Sequence, residues 1–115
     1  MKIYVSHASG MEKEIYEHLR NLKEFDFVFP HLSKAKNSKD LIRSCDAMIA
    51  DVSVPSHGVG IEIGWSESFN IPIILISKKG SKISSSLKFV SNKFIEYKKL
   101  EDAIPKIRKA LVDLE

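Results

Sequence analysis

Short apolar runs alternate with helix-patterned segments along the chain, and this alternation limits the possible folds more than any other feature. The apolar runs have the length of β-strands and lie at residues 3–6, 25–29, 47–51, 72–77 and 94–97. Strands that alternate with helices form parallel sheets. We therefore predict an α/β fold, namely a flavodoxin-like doubly wound parallel sheet of five strands in the order 2-1-3-4-5, with helices on both faces.

The segments between the predicted strands have the spacing of amphipathic helices. Apolar residues recur three or four positions apart in residues 11–22, 59–69 and 100–114, and shorter helical segments are predicted at residues 40–44 and 84–90. A chain of 115 residues has the size of one compact domain. We therefore expect a single domain over residues 1–115.

The composition argues against several classes of protein. Cys45 is the single cysteine, so it has no partner for an internal disulfide and no second thiol at a metal-ligand spacing. No apolar run approaches the roughly 20 residues of a membrane span, and residues 1–5 lack the pattern of a signal segment. We therefore expect a cytoplasmic protein with no metal, no cofactor and no membrane partner.

The net charge of +3 comes from lysines that are spread along the chain. A nucleic-acid reader more often gathers its basic residues on one face and places aromatic residues among them. We therefore expect no nucleic acid as a partner. A modest positive field would still attract a phosphorylated small molecule.

The predicted strand order indicates where a ligand should bind. In open α/β sheets, ligands bind beyond the carboxyl ends of the strands where the strand order reverses, here between the first and third strands. The segments at that position are residues 6–10 and 51–62. Gly58 and Gly60 are predicted to frame a turn whose backbone amides approach a ligand closely. Glu62 is then predicted in the first turn of the next helix, where the helix dipole would keep its carboxylate ionised.

The helix that carries Glu62 has a second predicted property. Gly60, Gly64 and Ser68 share one of its faces, so we expect the helix to lie close on the sheet through these small residues. An ionised carboxylate on such a helix can attack an anomeric carbon. On spacing alone, an ordinary acidic residue in a first helical turn is the favoured interpretation.

Residues 44–76 resemble the nucleoside 2-deoxyribosyltransferase superfamily, and above all its 2'-deoxynucleoside 5'-phosphate N-hydrolase branch. The shared features are Asp46 at the start of the third strand, the run Pro-Ser-x-Gly-Val-Gly-x-Glu-x-Gly at residues 55–64, and a helix that leads to an apolar strand. The resemblance implies an N-glycosidase that hydrolyses the base–deoxyribose bond of a 2'-deoxynucleoside 5'-monophosphate. It also implies that Glu62 is the nucleophile that attacks C1'.

The same resemblance implies roles for other residues. Ser56 corresponds to a serine that contacts the 5'-phosphate, and Tyr4 to a tyrosine that lines the sugar pocket. Ser86 corresponds to a phosphate-contacting serine that the neighbouring subunit supplies, which implies a homodimer with shared active sites. Ser86 could equally be a helix cap, and Tyr4 could simply pack on the sheet.

The loop after the first strand departs from the family, which has glycine and arginine there. Ser6 and Ser9 could still donate hydrogen bonds to a phosphate, and His7 could add charge or stack on a base. His31 and His57 are weaker candidates for contact with a ligand.

The second acidic group of the family is missing at its expected position. The family places an aspartate where this chain has Ser38, and the nearest carboxylate is Asp40. Residues two positions apart on a continuous helix, such as Ser38 and Asp40, point about 160° apart, because each residue turns about 100°. Asp40 can therefore replace the acid only if the helix begins at or after it, and its alternative role is a helix cap.

Three other functions stay open. The chain could be a nucleoside 2-deoxyribosyltransferase, with a second base as the acceptor. Residues 3–9 also resemble the first strand of Toll/interleukin-receptor-like (TIR-like) domains, some of which cleave NAD with a helix-borne glutamate. Finally, Ser38 favours a nucleotide-binding module that has lost its acid and its activity.

Overall fold

The structure, a computed structural model, describes residues 1–30 and 37–115. The elements in these ranges are β1 (Lys2–Ser6), α1 (Glu12–Leu19), β2 (Asp26–Val28), α2 (Ser38–Arg43), β3 (Ala47–Asp51), α3 (His57–Ser68), β4 (Ile73–Lys78), a 3-10 helix (Ser85–Phe89), β5 (Phe94–Tyr97) and α4 (Leu100–Leu114). The strands form one parallel sheet in the order β2-β1-β3-β4-β5. The predicted fold class and strand order are therefore confirmed.

Each face of the sheet packs against a pair of helices, because side chains alternate across every strand. On one face, α1 and α4 cover a cluster that includes Ile3, Val5, Ile15, Leu19, Ile107 and Leu111. On the other face, α2 and α3 cover a cluster that includes Tyr4, Ile42, Met48, Ala50, Val59 and Ile63. No helix in the described ranges is both long enough and apolar enough to cross a membrane.

A hydrogen-bonded polar group lies at the carboxyl ends of β3, β4 and β5. The Tyr97 hydroxyl donates to Asp51 Oδ2 at 2.5 Å, and the Asp51 Oδ1 atom accepts from the Ser53 amide at 2.8 Å. Ser53 Oγ in turn accepts from the Lys78 amide at 2.7 Å. Burial, together with the hydrogen bond to Asp51, raises the pKa of Tyr97 above its ordinary value. This network joins the carboxyl ends of β3, β4 and β5 to Ser53, in the segment that leads into α3.

Replacing Tyr97→Phe should lower the free energy of unfolding by about 1–3 kcal/mol at pH 7, because buried Asp51 loses a hydrogen-bond donor. The variant should also change the pH dependence. Since the folded pKa of Tyr97 is raised, its contribution is complete below the ordinary tyrosine pKa of about 10 and is lost as pH rises further. Urea unfolding at pH 7 and above pH 10 should therefore show a shallower alkaline loss in the variant. Equal alkaline losses in the two proteins would contradict this account.

Candidate active site

A cleft of about 350 Å³ opens at the carboxyl ends of β1 and β3, at the switch point that the strand order predicts. One wall comes from the loop after β1 and the start of α1, and the facing wall comes from the first two turns of α3 and its cap. Its described lining consists of His7, Ser9, Glu12, Pro30, Ser56, Gly58, Val59 and Glu62. The structure therefore brings the predicted residues His7, Ser9, Ser56, Gly58 and Glu62 together.

Two hydroxyl groups from β1 hold the Glu62 carboxylate. The Tyr4 hydroxyl donates a hydrogen bond to Glu62 Oε2 at 2.6 Å, and the Ser6 hydroxyl donates one to Glu62 Oε1 at 2.7 Å. Tyr4 and Ser6 are both fully buried and share one face of β1. Hydrogen bonds to an ionised acceptor are stronger than neutral ones, so both donors stabilise the charged carboxylate.

Tyr4 keeps its proton at neutral pH. Burial is the largest cause that raises its pKa, and the hydrogen bond to Glu62 raises the pKa further. The nearby Ser38 side chain lowers the pKa, but the net direction is upward. The Tyr4 hydroxyl is therefore a permanent donor to Glu62.

Two predictions about the start of α3 are wrong. The helix begins at His57, so Gly58 and Gly60 lie within it and do not frame a turn. Glu62 consequently lies in the second turn, not the first. Stabilisation by the helix dipole falls off within the first turn. The hydroxyl groups of Tyr4 and Ser6 therefore stabilise the Glu62 carboxylate in place of the dipole.

The prediction that α3 lies on the sheet through small residues is also wrong. Gly60, Gly64 and Ser68 are exposed, and a Cβ atom added at either glycine would meet no atom within 4 Å. The buried residues of the helix are Val59, Ile63 and Ser66. The larger aliphatic side chains face the sheet because they remove more apolar surface from water.

Ser56 caps the amino terminus of α3. Its hydroxyl oxygen accepts a hydrogen bond from the Val59 amide at 3.3 Å, and its backbone is extended, as is usual for a cap residue. The same hydroxyl can donate its proton to a ligand. The first amides of a helix have no intrahelical acceptors, so this end of α3 offers donors and partial positive charge to an anion.

Glu12 is a second carboxylate in the cleft, and the sequence analysis did not single it out. It lies in the first turn of α1, and its Oε2 atom accepts a hydrogen bond from the Gly10 amide at 2.9 Å. Gly10 has a φ of 96°, a conformation that favours glycine. The signal that could have found Glu12 is an acidic residue in the first helical turn after the first strand, since that turn faces the switch point.

The structure does not bring Asp40 to the cleft. Helix α2 begins at Ser38, after Asn37, whose side chain accepts a hydrogen bond from the Asp40 amide at 2.9 Å. The Asp40 side chain is 69% exposed and lies 3.9 Å from Arg43. The condition for Asp40 to replace the family's acid is therefore not met, and Asn37 takes the capping role. Ser38, at the position of the family's acid, lies close enough to Tyr4 to lower its pKa.

Gly60, His57 and Ser86 lie apart from the cleft that holds Glu62. Gly60 and His57 line a second, largely apolar cleft of about 320 Å³, formed by α3 and the segment after β4. Ser86 is exposed in the 3-10 helix, where its amide donates to Ser84 Oγ at 3.2 Å, so the cap is Ser84. His31 lies outside the described residues. Among the described residues, no three His, Cys, Asp or Glu side chains could together hold a metal ion.

Known proteins resemble this chain in sequence and in structure. A protein of Syntrophotalea carbinolica that carries the name 2'-deoxynucleoside 5'-phosphate N-hydrolase 1 is 35% identical over 75 residues, which are 63% of this chain and 53% of that protein. This chain thus spans about half the length of that curated relative. No protein-family model matches the chain.

Solved structures extend the likeness over most of the chain. The CMP N-glycosidase of Clostridium botulinum is 26% identical with a TM-score of 0.68, over 95% of this chain and 99% of that one. The 2-deoxyribosyltransferase of Bacillus psychrosaccharolyticus has a TM-score of 0.64 over 90% of each chain, and at 17% identity it supports the fold alone. The first two proteins confirm the predicted resemblance to enzymes that cleave N-glycosidic bonds, and the third agrees with the predicted fold of the nucleoside 2-deoxyribosyltransferase superfamily.

Proposed function

We propose, on the basis of its relationship to the nucleoside 2-deoxyribosyltransferase superfamily, that this chain is an N-glycosidase that hydrolyses the base–sugar bond of a nucleoside 5'-monophosphate. The proposal depends above all on the Glu62 carboxylate, which lines the switch-point cleft while two hydroxyl groups hold its oxygens. A carboxylate held in its ionised form has the charge that a nucleophile at an anomeric carbon needs. We expect a 2'-deoxynucleotide to be the preferred substrate, as in the name of the Syntrophotalea relative.

The proposed reaction has two displacement steps. A Glu62 oxygen forms a bond to C1', and the C1'–N bond breaks with its electron pair leaving on the base nitrogen, which takes up a proton from solvent. Water then attacks C1' of the glycosyl ester, the bond from C1' to Glu62 breaks, and the carboxylate is restored. The attacking water releases a proton to solvent, which balances the proton that the base took up.

Helix α3 can contact both the 5'-phosphate and C1' of such a nucleotide. Ser56 and Glu62 are six positions apart, which is about 9 Å along the helix axis. A sugar 5-phosphate can span this distance with its phosphate at the amino end of α3 and C1' near Glu62. The Ser56 hydroxyl and the first amides of α3 would donate to the phosphate oxygens, with Ser9 and His7 on the facing wall.

The leaving base needs a group that orients or protonates it. Ser38 stands at the position of the family's aspartate and Asp40 is exposed, so we assign the orienting role to Glu12, the other carboxylate in the described lining. The Gly10 amide stabilises the charged form of Glu12. This suits Glu12 to accept a hydrogen bond from a donor group on the substrate.

Replacing Glu62→Gln should lower base release by roughly 10³-fold or more, because an amide cannot serve as the nucleophile. Glu67→Gln, an exposed change on the same helix, is the matched control and should stay close to wild type. The assay is chromatography of the free base after incubation with 2'-deoxynucleoside monophosphates, CMP, nucleosides and NAD. Near-normal turnover by a folded Glu62→Gln protein would rule out Glu62 as the nucleophile.

The same panel separates the alternative functions. Release of nicotinamide from NAD as the main reaction would favour the TIR-like function. Base exchange between nucleosides would favour the deoxyribosyltransferase. Binding of nucleotides without any turnover would identify a non-catalytic module.

Replacing Ser56→Ala should raise KM for monophosphates by roughly ten- to a hundredfold, the effect of losing one hydrogen bond to a charged group. Free nucleosides should be poor substrates for wild type and should be little affected by the change. Ser56→Gly is a second variant, because glycine retains most of the capping stability that alanine loses. Ser68→Ala, at the exposed far end of α3, is the control. Equal turnover of nucleosides and monophosphates by wild type would argue against phosphate recognition.

We also propose that the active site is shared across a homodimer, with Ser86 reaching the phosphate bound by the partner. Ser86 is exposed and lies outside its own chain's described cleft, as a serine that acts in trans would. Exposed Val54 and Ile83, which line the apolar second cleft, offer contact surface for a second copy.

Complementation tests the shared site. Glu62→Ala and Ser86→Ala proteins, each impaired alone, are mixed and allowed to exchange subunits. With random exchange about half the dimers are mixed and each contains one intact site, so roughly a quarter of all sites should regain full activity. Activity that stays at the average of the two variants after proven exchange would place Ser86 in its own chain's site or in none.

A further inference from the structure

We infer that Ser6 is a positioning residue for Glu62, and not the phosphate ligand that the sequence suggested. Ser6 is fully buried, so its hydroxyl is not open to a substrate phosphate in the cleft. Its hydroxyl donates to Glu62 Oε1 at 2.7 Å, which is the short distance of a hydrogen bond to an ionised oxygen. The inference rests on the proposed function, because it gives Ser6 a part in the reaction of Glu62.

The place of Ser6 is determined by the sheet. Ser6 pairs with Ala50 of β3 and Tyr4 pairs with Met48, so both hydroxyl groups project from β1, which lies inside the sheet between β2 and β3. The two side chains are two positions apart and face α3 together, and each takes one oxygen of the same carboxylate. This arrangement holds the plane of the carboxylate relative to β1.

The hydrogen bond from Ser6 has a consequence in each step of the reaction. Before attack, the Ser6 hydroxyl holds one oxygen of the carboxylate and so fixes the direction of the nucleophile. Formation of the glycosyl ester removes the charge, and attack by water restores it on the leaving carboxylate. Ser6 therefore orients Glu62 as the nucleophile and stabilises it as the leaving group.

The test is the split between kcat and KM in Ser6→Ala, measured with the nucleotide that wild type cleaves best. Loss of the donor should lower kcat by roughly tenfold, the effect of losing one hydrogen bond to a charged group, because Glu62 is less well oriented and becomes a poorer leaving group. KM should change little, because Ser6 is buried and does not contact the substrate. Tyr4→Phe, which removes the other donor and leaves the ring in place, should lower kcat as well.

Ser66→Ala is the matched control. Ser66 is also fully buried, and its hydroxyl donates to the Ile71 carbonyl at 3.2 Å at the other end of α3. Both alanine variants lose one buried serine hydroxyl, so they should lose similar stability, but kcat should fall only in Ser6→Ala. An unchanged kcat in Ser6→Ala, or an equal fall in Ser66→Ala, would overturn the inference.

A second measurement does not depend on turnover. The Glu62 carboxyl carbon can be observed by NMR at neutral pH in protein with ¹³C-labelled glutamate, and its signal is assigned by its absence in Glu62→Gln. Its chemical shift should differ between Ser6→Ala and wild type because one carboxylate oxygen loses its donor, and an unchanged chemical shift would overturn the inference. Failure of the proposed function alone would appear as no base release by wild type, while the chemical shift would still change in Ser6→Ala.

Discussion

The hydrogen bonds from Tyr4 and Ser6 to Glu62 are the interaction on which the arrangement of the site depends. They join β1, a strand inside the sheet, to α3, the helix that carries the carboxylate. A charged group that is partly removed from water costs free energy unless its atoms are paired, and here each carboxylate oxygen receives a hydroxyl donor. Because both donors project from one strand, movement of α3 along the sheet would break at least one of these bonds.

Helix α3 carries partial positive charge at its amino end and a negative charge in its second turn. Its amino end, capped by Ser56, attracts an anion, whereas Glu62 in the second turn carries negative charge. Two unit charges about 9 Å apart repel by only about 0.5 kcal/mol in water, and salt screens much of that. A phosphate at the helix terminus can therefore coexist with an ionised Glu62, while the sugar between them brings C1' to the nucleophile.

The wrong predictions at α2 and α3 have local physical causes. Ser56 and Asn37 are both good cap residues, and with these caps α3 begins at His57 and α2 begins at Ser38. The first start moves Glu62 into the second turn of α3, and the second leaves the Asp40 side chain exposed on α2. Glu62 lies three positions after Val59 and four positions before Ser66, next to Ile63. It therefore shares the face of α3 that carries these buried residues. That pattern indicates an inward-facing carboxylate and was available from the sequence.

Local patterns of apolar runs and helical spacing were sufficient to predict the parallel sheet, its strand order and the switch point. Glu62 was singled out only by the resemblance of residues 55–64 to a family motif. The hydrogen bond from Ser6 to Glu62, the entry of Glu12 into the cleft and the exposure of Asp40 became evident only from the packing of distant elements. Strand alternation puts Tyr4 and Ser6 on one face, but which helix covers that face depends on how distant elements pack. Contacts between residues far apart in the chain leave no trace in local spacing, and the site is made of such contacts.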